Sequence, residues 1–240
     1  MTSTPQVTGS RSDEVIAKHK EYLWPAVANY YAKPLVADRG SMQYLWDLEG
    51  KKYLDFFGGI VTVGVGHCNP KVTAKIKAQV DRLQHTSTLF PNEHIVALAE
   101  KLASITPGNL QKSFFTNSGT EANEAAILLA RMVGPSFDIV ALRHAYAGGS
   151  SLAKGVTAHA NYRKAGVISV GIAHAINPYC YRCPLGLKYP DCGVKCAEDV
   201  ENLIQTGTSG SIAAFIAEPI QGVVDLLRRR RSISRLCFGR

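Results

Sequence analysis

From residue 112 onward, short apolar runs alternate with helical patterns, and this alternation restricts the fold more than any other feature of the chain. Lys112–Thr116 reads as a strand and Ser118–Val133 as a helix; Asp138–Arg143 and Gly166–Gly171 read as strands. Cys196–Gly207 has a helical pattern, and Ile212–Glu218 is a buried-looking strand. Short apolar strands joined by helical crossovers form a mainly parallel sheet with helices on its faces.

The upstream part is organised differently. Ser12 or Asp13 is placed to cap a helix over Val15–Tyr22. Gln43–Trp46 and Lys52–Phe56 are strand-like runs around the turn Asp47-Leu48-Glu49-Gly50. The stretch GGIVTVGVGH, residues 58–67, reads as glycine-punctuated β structure or loop and lacks the third glycine of a dinucleotide fingerprint. Asn69-Pro70 opens a helix to about Gln84, Asn92 opens another, and Thr106-Pro107-Gly108-Asn109 breaks the chain.

Composition removes several classes. Hydrophobic residues make up 46% and charged residues 19% of the 240, an ordinary globular balance. No run approaches the roughly 18 apolar residues of a membrane helix, so no membrane partner is expected. The first twenty residues contain Asp13 and Glu14 and lack both an apolar signal core and an Arg-rich amphipathic pattern, so a cytoplasmic location is expected. The net charge of +8 suggests nucleic acid, but residues 223–240 alone carry +5 through six arginines and one aspartate. The remaining +3 is unremarkable, and no nucleic-acid partner is expected.

One turn stands out, FFTNSGTEANEAAILLAR at 114–131, where Asn117-Ser118-Gly119-Thr120 precedes an alanine-rich helix. A helix start presents free N–H groups and partial positive charge, which suits a phosphate. On spacing alone a plain N-cap by Asn117 or Ser118 is the better reading, because the Gly-Lys-Ser/Thr of a nucleotide P-loop is absent. Two further segments shift the balance. RHAYAGGS, 143–150, places Tyr146 at a strand exit beside glycines, and AEPIQG, 217–222, places Glu218 at another strand's carboxyl end. Ligands of open parallel sheets sit beyond those ends. A phosphate cradle, an aromatic platform and an acid on one edge suit a flat, phosphorylated aromatic cofactor.

NSGTEANEAAILLAR, HAYAGG and AEPIQG, in that order, resemble the class III pyridoxal-phosphate aminotransferases, as does DLEGKKYLDFFGGIVTVGVGHCNPKV upstream. The likeness runs from residue 12 to about 222 and is strongest to the alanine–glyoxylate aminotransferase 2-like branch. It implies the large domain of a fold-type I, aspartate aminotransferase-like α/β transferase, here truncated, from a family of homodimers. The implied division is an N-terminal segment over 1–55, a partial cofactor-binding domain over 56–222 and a basic tail over 223–240. Carried over by position, Ser118, Gly119 and Thr120 hold the pyridoxal 5'-phosphate phosphate group, Tyr146 stacks on its ring, and Glu218 lies near the ring. Gly59, Ile60 and Val61 fall at the substrate pocket entrance. The implied reaction moves an amino group between an amino acid and a 2-oxo acid or glyoxylate. Some of that branch's members are mitochondrial, so that location stays open.

The resemblance also shows what these 240 residues lack. Transamination needs a lysine to carry the cofactor and an acid beside its pyridine nitrogen. No Asp-Glu-Val-Gln stretch follows AEPIQG, and no lysine follows Lys195. Four arginines, 228–231, begin abruptly where the likeness ends and read as an altered gene end. The chain is therefore expected to be inactive by itself. Its sheet is expected to keep an unpaired edge after Ile212–Glu218.

A rival pattern is Cys180-x2-Cys183-x8-Cys192-x3-Cys196. Two close pairs supply four thiolates to a tetrahedral zinc, although the spacer is shorter than that of most zinc ribbons. No metal is assigned, and a structural zinc in this loop is kept as the lesser alternative. Other readings are a different enzyme of the same cofactor and fold, an aminomutase or a decarboxylase, and a non-catalytic fragment built around the cysteine loop.

Overall fold

A computed structural model of the chain describes residues 9–27, 29–163 and 170–222, together with the backbone of 227–228. Two compact units are present, Met1–Leu98 and Ala99–Arg240, with helix α4 (Glu93–Ile105) carrying the boundary.

In the first unit, α1 (Arg11–Tyr22) starts earlier than its apolar pattern suggests. Its cap is Ser10 rather than Ser12 or Asp13: the Ser10 hydroxyl accepts from Asp13 N, and Asp13 accepts from Ser10 N. This reciprocal pair satisfies two amide donors at once and outcompetes a later start. Ser12 is thereby free to donate from its backbone and hydroxyl to the Glu49 carboxylate, at 3.2 and 2.7 Å. Strands β1 (Ala37–Ser41), β2 (Tyr44–Asp47) and β3 (Lys52–Leu54) form an antiparallel sheet in sequence order. The turn between β2 and β3 is closed by Asp47, whose carboxylate accepts from Glu49 N, Lys51 N and the Tyr53 hydroxyl. The short element α2 (Gly58–Val61) and the helix α3 (Pro70–Val80), capped by Asn69, follow.

The second unit carries the parallel sheet. β4 (Ile139–Leu142) is central, flanked by β5 (Ile172–Ala175) and β6 (Ala214–Phe215), all parallel. β4 is buried throughout, from 0 to 3% exposed, because its alternate side chains face two separate cores. Ile139 and Ala141 pack with Ile127 of α5 (Gly119–Val133) and with Ala153 and Val156 of α6 (Ser151–Val156). Val140 and Leu142 pack with Ala175 and with Val200, Leu203 and Ile204 of α7 (Lys195–Gly207). Helices thus cover both faces, as the alternation of strands and helices anticipates.

Several expected strands change. Lys112–Thr116 has no regular structure and pairs with none of the described strands, so its strand-like composition is not matched by ladder bonds. The strand expected over Gly166–Gly171 appears instead as β5, beginning at Ile172, and residues 166–169 lie outside the described part. The buried run Ile212–Glu218 contributes only the two paired residues of β6. A further pair, β7 (Ile220–Gln221) with β8 (Leu227–Arg228), is antiparallel. Apart from that backbone, the basic segment 223–240 lies outside the described residues. Among those described, no helix is long and apolar enough to cross a membrane.

Candidate functional site

The start of α5 forms one wall of the site. Ser118 is its N-cap, with the hydroxyl oxygen accepting from Glu121 N at 3.2 Å. Glu121 in turn accepts from both the backbone and the side chain of Asn117, at 2.7 and 3.2 Å. The amides of Gly119 and Thr120 head the helix, where no intrahelical acceptor exists. A Cβ at Gly119 would meet nothing within 4 Å, so the space before these amides is open. Thr120 Oγ1 accepts from Gly149 N at 3.2 Å. A hydroxyl has one proton to give and two lone pairs. Ser118 and Thr120 therefore each spend a lone pair on an amide and keep the O–H to donate.

The turn after β4 forms the second wall. Gly148, at φ 135°, lies so close to α5 that a Cβ there would stand 2.9 Å from Thr120 Cβ. Asn123 Nδ2 donates to Ala147 O at 2.8 Å, a second tie between this turn and α5. From behind, Ala147 N donates to the buried Thr157 hydroxyl, which itself donates to Ala153 O. Tyr146 projects from this turn, 41% exposed as a residue, and its ring meets that of Tyr162 edge-on at 5.1 Å.

Glu218, beyond β6, closes the arrangement through the backbone. Its Oε1 accepts from Tyr146 N at 2.9 Å and its Oε2 from Gly222 N at 3.4 Å. The carboxylate thus clamps the Tyr146 turn to the β6 exit. Ser118, Gly119, Thr120, Tyr146 and Glu218 all come from α5 or from the carboxyl ends of β4 and β6. Hydrogen bonds tie the first turns of α5 to the turn after β4, and that turn to Glu218.

Neighbours that the sequence pattern did not reveal complete the walls. Gln221, 1% exposed, accepts from Asn177 Nδ2 at 2.6 Å and donates to Arg143 O at 3.2 Å. His144, with φ 65°, has Nδ1 3.2 Å from His159 Nε2. No local signal marks these pairs, whose members are 15 and 44 residues apart.

Burial, with the neighbouring His144 as lesser cause, holds His159 below its ordinary value, and burial does the same to His174 on β5. Both imidazoles ionise less readily folded than unfolded. Above about pH 6.5 they are neutral in both states and add no pH dependence. Below it the unfolded chain takes up protons first, so stability falls until the pH passes the lowered folded values. Denaturant midpoints at about pH 7.5 and 5.5 are expected to show this loss, and His174→Gln to reduce it.

Gly59, Ile60 and Val61 belong to the first unit. From Gly58 to Val61 the four φ angles lie between 56° and 63°, a left-handed turn that strains the β-branched Ile60 and Val61. Asp55 braces it by accepting from Phe57 N and Gly58 N at 2.8 and 2.9 Å. His67 Nε2 lies 2.7 Å from the other Asp55 oxygen and is the main reason this carboxyl sits below its ordinary value.

The four cysteines are free thiols on the path from β5 to α7, Cys180 on a single 3-10 turn and Cys196 in the first turn of α7. Burial, then Cys180, with smaller contributions from Cys183 and Cys192, pushes the Cys196 thiol above its ordinary value. Among the described residues, no three His, Cys, Asp or Glu side chains already stand in metal-binding geometry.

Residues 26–225 match the family model described as "Aminotransferase class-III". The chain belongs to the class III aminotransferases. It is 44% identical to a protein of Arabidopsis thaliana named alanine–glyoxylate aminotransferase 2 homolog 2, mitochondrial, over 91% of this chain and 45% of the relative. It is 40% identical to alanine–glyoxylate aminotransferase 2, mitochondrial, of Homo sapiens, over 94% of this chain and 48% of the relative. Among solved structures, an (S)-enantioselective omega-transaminase from Thermomicrobium roseum superimposes with a TM-score of 0.78 at 34% identity. That superposition covers 88% of this chain and 51% of the transaminase. This class III chain therefore spans about half the length of the relatives it matches.

Proposed function

We propose that the second unit holds the phosphate of pyridoxal 5'-phosphate and orients its ring for amino-group transfer between an amino acid and a 2-oxo acid or glyoxylate. One observation carries this reading: four unspent donors, two amides and two hydroxyls, head α5 before an open space, and the turn bearing Tyr146 is tied against them. A helix start of this kind suits a dianionic phosphate. The bound cofactor supplies the electron sink that amino-group chemistry requires. Ser118, Gly119 and Thr120 anchor the phosphate, and Tyr146 offers a planar face to the ring. Glu218 fixes the Tyr146 turn. Gly59, Ile60 and Val61 line the way in for substrate. Residues 1–55 serve as an N-terminal segment and 56–222 as the cofactor-binding portion, in an assembly that is a homodimer.

No lysine follows Lys195, so we further propose that a polypeptide of these 240 residues grips the cofactor but does not turn substrate over. Calorimetric titration separates the two claims. Pyridoxal phosphate is expected to bind at least about tenfold more tightly than phosphate-free pyridoxal, because hydrogen bonds to a charged group contribute about 1.5–3 kcal/mol. Ser118→Ala and Thr120→Val are each expected to erase about a factor of ten of that preference. Ser118→Ala is also expected to cost about 1 kcal/mol of stability as a lost cap. Equal affinity for the two ligands rules out the phosphate cradle. Transamination by the 240-residue chain rules out the second claim and leaves the first standing.

A further inference from the structure

The connection from β5 to α7 runs over residues 176–194, and its one regular element is the 3-10 turn Cys180–Arg182. Strand-to-helix connections of α/β units usually take about 2–6 residues. A path this long needs something to hold it, and its backbone bonds are confined to tight turns. Gly186 N donates to Cys183 O at 3.0 Å, Cys192 N to Lys188 O at 2.9 Å, and Lys195 N to Cys192 O at 3.2 Å. These turns place the cysteines in two pairs. Residues three apart in a 3-10 turn eclipse one another, which puts Cys180 and Cys183 on one side. Cys192 and Cys196 bracket the start of α7.

All four cysteines line a single cavity of about 20 Å³, walled on another side by Leu185 and Leu187. That is room for one small particle and no more. Small apolar packing is the simplest use of four cysteines, but packing residues fill a space, whereas these surround one. Asn177 also lines the cavity. It is 4% exposed, and its Oδ1 is a buried polar atom without a hydrogen-bond partner among the described residues. Cys196 lies in the first turn of the 13-residue α7, where the helix start offsets part of the cost of a negative charge.

We propose that Cys180, Cys183, Cys192 and Cys196 bind one zinc ion as a structural site that fastens the 176–194 connection to the start of α7. Four Zn–S bonds form at about 2.3 Å as the thiols release their protons to solvent, with no change of oxidation state. The four sulfurs border the cavity without yet standing in that geometry. Closing the tetrahedron requires the cysteines to turn toward the cavity about their side-chain torsions, Cys180 from an exposed position. The site is separate from the phosphate cradle and does not depend on the proposed reaction.

The test uses the full chain, produced in zinc-supplemented medium and purified without chelator. Elemental analysis is expected to find close to one zinc per chain, and Cys192→Ser is expected to lower it about tenfold, while Cys68→Ser keeps it. Alkylation of the unmutated chain, mapped by mass spectrometry, guards against a variant that misfolds. The four loop thiols are expected to resist the reagent until a strong chelator is added, while exposed Cys68 reacts at once. Zinc near zero, with the four loop thiols reacting as readily as Cys68, overturns the proposal. So does a disulfide within the loop in the purified chain, or zinc that survives Cys192→Ser.

Discussion

Gly148→Ala is expected to lower the stability of the second unit by about 1–3 kcal/mol and to weaken pyridoxal-phosphate binding by about tenfold or more. Two costs combine at this position. The φ of 135° lies where an L side chain is strained, and the added Cβ would come within 2.9 Å of Thr120 Cβ and 3.0 Å of its Cα. The nearest atom is the Thr120 hydroxyl, but Thr120 Cβ and Cα are fixed to the first turn of α5, so relief requires moving either the helix start or the turn. Either movement stretches the 3.2 Å bond from Gly149 N to Thr120 Oγ1 and turns that hydroxyl away from the anion. Gly119→Ala is the informative contrast. Its Cβ meets nothing within 4 Å and its backbone is ordinary, so stability should stay within about 0.5 kcal/mol while the methyl crowds the phosphate. Denaturant unfolding and ligand titration of the two variants separate packing from binding. An unchanged Gly148→Ala protein in both measurements would show that the turn does not press on α5.

Ile139→Ala is expected to cost about 2–5 kcal/mol, a large share of the 5–15 kcal/mol typical of a domain. Ile139 is fully buried at the start of the central strand, where it packs with Ile127, Ala153 and Val156. Its removal leaves a cavity that the parallel pairings on both sides of β4 prevent from collapsing. Leu128→Ala, one residue beyond Ile127 on α5 but 60% exposed, should change stability by about 0.5 kcal/mol or less. Denaturant midpoints of the two variants measure the difference, and equal costs would mean that β4 does not carry the core.

Much of the site was legible because its parts are local. Small residues ahead of an alanine-rich helix announce a helix start wherever they occur. Here Ser118 is the cap, and the proposal gives it a second role in the cradle, because a hydroxyl that accepts one bond keeps a proton to donate. Tyr146 and Glu218 were placed by a topological rule, that ligands lie beyond the carboxyl ends of parallel strands. The failures have local causes too. Lys112–Thr116 has a strand's composition, but a strand also needs a partner's ladder bonds, and this segment pairs with none of the described strands. The start of α1 depended on which of several polar residues could exchange two bonds, and Ser10 with Asp13 does.

By itself, then, the sequence determined the alternation of strands and helices in the second unit, the parallel character of its sheet, the family, and the segments proposed to form the site. Those properties follow from side-chain period, capping chemistry and motif order, which act over a few residues at a time. Tertiary structure alone decided that Glu218 reaches back 72 residues to hold the amide of Tyr146, and that Gly148 must lack a side chain because Thr120 lies against it. It alone joined Asn177 to Gln221 and set four cysteines around one small cavity. Such contacts depend on where separate elements come to rest, and no spacing along the chain encodes a distance between them.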